Sequence, residues 1–224
     1  MFRSIARILV AVAKFPDIHP ADTVQWIRYD GLDHYLSAKA RGKGILVATA
    51  HLGNWELSAF THAFMTEPMG VMVRPLDNPL IDEFIEERRA LSGNTVIGKR
   101  DAARIVIRLL RENRAVGMLI DQNTAAAEGV FVSVFGKLAC ANAGFARLAA
   151  HTGAAVIPGF AFWEEAERKY VLRFYPEIPM TGDVQADTQA IQSFFESVIR
   201  QYPDQWMWIH RRWKTRPADE APLY

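Results

Sequence analysis

The chain has 224 residues, of which 50% are hydrophobic, 11% aromatic and 23% charged, a composition that excludes disorder and low-complexity scaffolds. Its 26 Lys and Arg nearly cancel its 25 Asp and Glu, leaving +1, so no global field calls for nucleic acid. Cys140 is the 1 cysteine, which excludes an internal disulfide and a multi-thiolate metal site. No apolar run reaches the ~18 residues that span a bilayer.

Residues 1–15 carry Arg3, Arg7 and Lys14 among Phe2, Ile5, Ile8, Leu9, Val12 and Phe15. The spacing predicts a basic amphipathic helix, packed on the domain or lying on a membrane surface; Arg7 leaves too short an apolar core for a secretory signal. Residues 44–50 form a continuous apolar run typical of a strand buried on both faces. Then follow a helix over 54–66, a strand over 70–74, a helix over 78–92 and a strand over 94–98. A strongly periodic helix over 100–113 leads to a strand over 114–121, and a helix over 141–152 is stopped by Gly153. Strands over 154–163 and 169–178 are joined by a charged turn, and a last helix covers roughly 187–201. This alternation predicts a single α/β domain over residues 1–224, with a central, mostly parallel mixed sheet flanked by helices. Active sites in such folds gather at the carboxyl ends of strands, where His51, Arg74 and Asp121 fall.

The strongest local signal is Ala50-His51-Leu52-Gly53-Asn54-Trp55-Glu56. His51 directly follows a buried strand, Gly53 permits a sharp turn, and Asn54 is a natural helix N-cap with Glu56 in the first turn. Along a continuous helix His51 and Glu56 would point roughly 140° apart. Their contact therefore requires His51 on the loop with Glu56 reaching back. A carboxylate on one imidazole nitrogen leaves the other free to remove a proton. No GxSxG elbow competes as nucleophile. Neither HExxH nor paired-His spacing marks a metal site, although His51, Glu56, His62 and Asp121 are possible ligands.

The final stretch, residues 206–217, is basic and aromatic: Arg211, Arg212, Lys214 and Arg216 interleave with Trp206, Trp208 and Trp213. Cations beside aromatics suit the headgroups of an anionic membrane surface. The same composition suits single-stranded nucleic acid, which the near-zero net charge disfavours.

Three blocks carry a resemblance: the His51–Glu56 HxxxxE element, Val73-Arg74-Pro75-Leu76-Asp77-Asn78-Pro79-Leu80-Ile81-Asp82, and Trp208-Ile209-His210-Arg211-Arg212-Trp213-Lys214 running on to Pro217. From about Val24 to Pro217 the chain resembles the bacterial lipid A late acyltransferases of the lysophospholipid acyltransferase-like superfamily. The phosphatidylinositol mannoside acyltransferases are relatives. The resemblance implies a glycerolipid-acyltransferase-like fold. It also implies acyl transfer from acyl carrier protein or coenzyme A to a hydroxyl of a lipid A precursor or related glycolipid, without a covalent acyl-enzyme or bound cofactor. His51 becomes the general base and Glu56 its orienting partner. Arg74 becomes the holder of an anionic group, with Asn54, Asp121, Gln122 and Asn123 about the substrate. Oxyanion donors would come from the amides near Gly53–Asn54 or from Gln122 and Asn123. The resemblance further implies work at the cytoplasmic face of the bacterial inner membrane, peripherally or through an N-terminal anchor missing from this chain. A Phe-Pro-Glu-Gly block typical of the glycerolipid branch is absent. Three alternatives stay open: a mannolipid acyltransferase with acyl-CoA donor, a metal-assisted ester or thioester hydrolase, and a non-catalytic lipid-binding module.

Overall fold

A computed structural model describes residues 1–98 and 101–224. Seven strands form one sheet: β1 (Ile27–Asp30), β2 (Ile45–Thr49), β3 (Gly70–Met72), β4 (Thr95–Ile97), β5 (Ala115–Leu119), β8 (Ala155–Glu164) and β9 (Lys169–Phe174), in the order β1–β9–β8–β2–β5–β3–β4. β6 (Gly129–Val134) and β7 (Lys137–Asn142) pair separately as a hairpin. Every neighbour pair of the large sheet is parallel except β8 with β9, matching the mostly parallel, mixed sheet expected. Helices α1 (Phe2–Lys14), α2 (Thr23–Trp26), α3 (Leu32–Lys39), α4 (Trp55–Met65), α5 (Pro79–Ala90), α6 (Ala102–Arg111), α7 (Gly144–Thr152) and α8 (Val184–Gln201) complete the chain.

β2 and β5 are near-continuously apolar because both their faces are covered. On one side Leu46 and Val116 meet Val106, Leu109, Phe145 and Phe195 of α6, α7 and α8. On the other, Ile45 and Val47 meet Val12, Tyr35 and Phe60 of α1, α3 and α4. Phe15 stacks on Phe60 with centroids 3.9 Å apart, a geometry that adds about 0.5–1.5 kcal/mol to the area buried. α1 buries Ile8, Ala11 and Val12 against the body. Its opposite side leaves Phe2, Leu9 and Val10 in solvent. No helix among the described residues is long and apolar enough to cross a membrane.

Two helix bounds are corrected. The helix read from 141 begins at Gly144, because residues 129–142 form the β6–β7 hairpin. Ala139 and Ala141 pack with Val132 and Val134 in the hairpin's own small core. Phe135 and Gly136 both take positive φ, 51° and 74°, the primed two-residue turn that matches strand twist. β1 and α3 lie in a stretch that shows no clear periodicity. Of the helix expected over 100–113, Arg100 lies outside the described residues, and α6 occupies Ala102–Arg111.

His62 of α4 is buried, with Nδ1 2.6 Å from the Tyr29 hydroxyl and the rings of Tyr35 and Phe174 edge-on. Burial pushes its pKa down to about 4, against a smaller upward pull from Glu67. The unfolded chain therefore binds a proton between about pH 6.5 and 4 that the folded chain does not, and stability falls as pH drops through that window. Urea titrations should show that slope, about 3 kcal/mol across it, and His62→Phe should flatten it.

Candidate active site

β2 and β5 are adjacent and parallel, with Thr49 opposite Leu119. Continuing that register past both carboxyl ends sets His51 opposite Asp121, and the Ile120 N–H bonds the Thr49 carbonyl at 3.0 Å on the way. His51 Nδ1 lies 2.8 Å from Asp121 Oδ1. Asp121 Oδ2 accepts from the His51 backbone N–H at 3.0 Å and from Trp206 Nε1–H at 2.8 Å. The carboxylate is 1% exposed. Burial by itself would raise its pKa, but His51 and the Trp206 indole outweigh it and hold the carboxyl down to about 2.

This overturns the expected His51–Glu56 contact. Glu56 lies in the first turn of α4, as its spacing from the Asn54 cap requires, but forks onto Arg89 of α5 at 2.8 and 2.5 Å. With Nδ1–H donating to Asp121, His51 Nε2 holds a lone pair, and the Gln122 amide nitrogen stands 3.3 Å from it. His51, Glu56, Arg74, Arg89, Gln122 and Asn123 all line one cavity of about 900 Å³ with a largely apolar wall, in the size range of small-ligand sites.

The loop bearing His51 is pinned on both sides. Gly53 takes φ +68°, and a Cβ there would come within 1.9 Å of the Ala161 carbonyl, so no larger residue fits. Its N–H bonds the Gln205 carbonyl at 3.0 Å, and the Asn54 N–H bonds Ala161 at 2.8 Å. Both amides are therefore spent, which corrects their expected part in an oxyanion hole. Asn54 is itself fully buried, its Oδ1 accepting the Leu57 N–H at 3.0 Å; it caps α4 and stands away from the cavity, correcting its substrate-binding assignment. Asp121 likewise holds His51 and is not among the residues that line the cavity. Asn123 exchanges two bonds with Thr215, at 3.0 and 2.9 Å, which leaves Gln122 as the uncommitted amide. Arg74, just beyond β3, is exposed at the cavity rim.

The basic C-terminal segment divides. Arg211 and Lys214 are exposed. Arg212 is 1% exposed, donating to the Cys140 carbonyl at 2.7 Å and Gln192 Oε1 at 3.2 Å; burial lowers its pKa to about 10. Arg216 is largely covered, donating to the Leu138 carbonyl and pairing with Glu220. A headgroup role for Arg212 and Arg216 is thus corrected: they strap the segment to the body. The same segment delivers Trp206 to Asp121 and the Met207 N–H to the His51 carbonyl at 2.9 Å. Sequence reading missed Arg89 and the Trp206 bond; the Trp-rich block marked Trp206, but nothing local pointed to its partner. Among the described residues, no three His, Cys, Asp or Glu side chains gather in metal-binding geometry.

Comparison with known proteins follows the same line. The sequence model of the family described as bacterial lipid A biosynthesis acyltransferase matches residues 1–215. A lipid A biosynthesis acyltransferase of Haemophilus influenzae is 26% identical over 226 aligned positions, covering 100% of this chain and 70% of that protein. The phosphatidylinositol mannoside acyltransferase of Mycolicibacterium smegmatis is 30% identical over 194, covering 84% and 63%. The lipid A biosynthesis lauroyltransferase of Escherichia coli K12 is 29% identical over 203, covering 89% and 66%. The chain spans about two thirds of the length of these relatives. A mostly parallel sheet with a His–carboxylate pair at its carboxyl edge, the His lining a cavity with a largely apolar wall, is carried by a chain that belongs to the bacterial lipid A biosynthesis acyltransferase family.

Proposed function

We propose that this chain moves a fatty acyl group from an acyl thioester to a hydroxyl of a lipid A precursor or related glycolipid, with His51 as general base and Asp121 as its orienting partner. The observation that carries the reading is the His51 ring, fixed by Asp121 at 2.8 Å and lining the apolar-walled cavity. Nε2 takes the acceptor's hydroxyl proton, and the alkoxide attacks the thioester carbonyl. The tetrahedral intermediate then expels the thiolate, which takes the proton from the His51 imidazolium. An incoming hydroxyl displaces the Gln122 amide from Nε2 and frees it to donate to the oxyanion, a type of interaction that contributes about 3–4 kcal/mol. Arg74 at the rim meets an anionic group of donor or acceptor.

The lipid-facing surface shifts from the C-terminal segment to the cavity mouth. Leu9 of α1 and Leu76 ahead of α5 line the cavity and are exposed, and Phe2 on α1 (78% exposed) and Leu80 on α5 (75%) are exposed further along those helices. Such a rim suits peripheral contact with the cytoplasmic face of the inner membrane. The likeness to a phosphatidylinositol mannoside acyltransferase, 30% identical over 194 residues, carries the second reading, a mannolipid acceptor with acyl-CoA as donor.

Mass spectrometry of products from acyl carrier protein and coenzyme A donors, offered with lipid A precursors and mannolipids, tests this. An acylated glycolipid is the expected product. Hydrolysis alone, lost on chelation, supports the metal-assisted hydrolase instead, and a trapped acyl-serine or acyl-cysteine overturns the direct-transfer mechanism.

A further inference from the structure

Trp206 is 1% exposed and is not among the residues that line the cavity. Its ring packs against Phe135, Trp208 and His210, with centroids 6.1, 4.5 and 5.0 Å away. Its Nε1–H does something packing does not require. The carboxyl group of an aspartate turns about a broad, roughly two-fold torsion, and it orients a base only while one oxygen stays in line with the imidazole. Three bonds hold Asp121: His51 Nδ1 meets Oδ1, and the His51 backbone N–H and Trp206 Nε1–H meet Oδ2. Two of the three come from His51 itself. Among the described residues, Trp206 is therefore the donor that fixes the carboxylate independently of the residue it must orient. His210 and Arg212 lie within reach of the same charge but bond elsewhere, to the Met207 and Cys140 carbonyls and to Gln192.

The donor sits in a frame of its own. Leu52 and Trp206 form an antiparallel bridge. The Gly53 N–H bonds the Gln205 carbonyl at 3.0 Å, and the Met207 N–H bonds the His51 carbonyl at 2.9 Å. Both ends of the Gln205 amide are tied to the Trp163 backbone of β8, at 2.9 and 3.1 Å. Residues 205–207 thus strap the loop at 51–53 to the sheet. An indole nitrogen donates and cannot accept, so its bond favours the ionised carboxylate, the form that steadies an imidazolium without taking its proton. We infer that Trp206 is a positioning residue for acyl transfer: its N–H locks Asp121 so that Oδ1 keeps facing His51 Nδ1 during proton transfer. The inference rests on the acyl-transfer reading above.

The test uses the donor and acceptor that yield product in the mass-spectrometric assay. Trp206→Phe removes the N–H together with part of the ring. Trp206→benzothienylalanine removes the N–H alone and keeps the shape of the indole, which covers a phenylalanine variant that folds poorly. Both are expected to lower kcat at least about tenfold, the worth of one hydrogen bond to a charged group, with KM for donor and acceptor unchanged. On an Asp121→Asn background the same changes should cost less than about twofold, because the charge through which the indole acts is already gone. A Trp206 that merely fills space would cost the same on both backgrounds. Unchanged kcat with benzothienylalanine, or equal losses on the two backgrounds, overturns the inference. Wild-type protein that transfers no acyl group removes the acyl-transfer reading itself, and the part of Trp206 with it.

Discussion

His51→Gln lowers acyl-transfer turnover by about 10²–10⁴ while the protein remains folded. The rate loss follows from removing the base, whose usual contribution is of that size. Persistence of the fold follows from the bonds that remain. Asp121 keeps its bonds from the residue-51 backbone N–H and from Trp206, so one hydrogen bond to a charged group is weakened, at about 1.5–3 kcal/mol. Single-turnover kinetics and thermal melts separate the two effects. Wild-type turnover in a folded His51→Gln sample would remove His51 from the mechanism.

Asp121→Asn is expected to be nearly as severe, about 10⁴ in kcat with little change in KM. The reason lies in which oxygen is already committed. Two N–H donors converge on Asp121 Oδ2, so the asparagine carbonyl must sit there and its NH2 must face His51 Nδ1. Nδ1 then has to accept, the proton moves to Nε2, and the base is lost without any change in shape. Glu56→Gln, which keeps part of the Arg89 fork, should cost less than tenfold by the same logic. Glu56→Ala instead strands a largely buried guanidinium, and its effect should be loss of stability, about 3 kcal/mol, visible in urea unfolding. Equal kcat losses for Asp121→Asn and Glu56→Gln would restore Glu56 as a working member of the site.

These two carboxylates show where local reading reaches its limit. Everything about the loop between β2 and α4 was legible in order: a buried strand, the turn at Gly53, the Asn54 cap and Glu56 in the first turn. Each depends on neighbours within one turn of chain. Proximity in sequence then suggested the wrong partner for His51. Glu56 points along α4 to meet α5, where Arg89 is held. The β6–β7 hairpin was lost for a related reason: a strand of small residues such as Ala139-Cys140-Ala141 follows cross-strand packing more than intrinsic preference.

Arg212 makes the same point at the other end. In sequence it is one of four cations in a solvated-looking run; in the structure it is buried and bonds a β7 carbonyl and an α8 side chain. The alternation of strands and helices, the position of the base and the N-cap behind it are properties of short segments, and the sequence alone determined them. The choice of Asp121 over Glu56, the exhaustion of the Gly53 and Asn54 amides and the burial of Arg212 depend on strand order and register across long loops. β5 reaches His51 because it slots between β2 and β3 in the sheet, 70 residues away along the chain. Only tertiary packing can bring that carboxylate to the base.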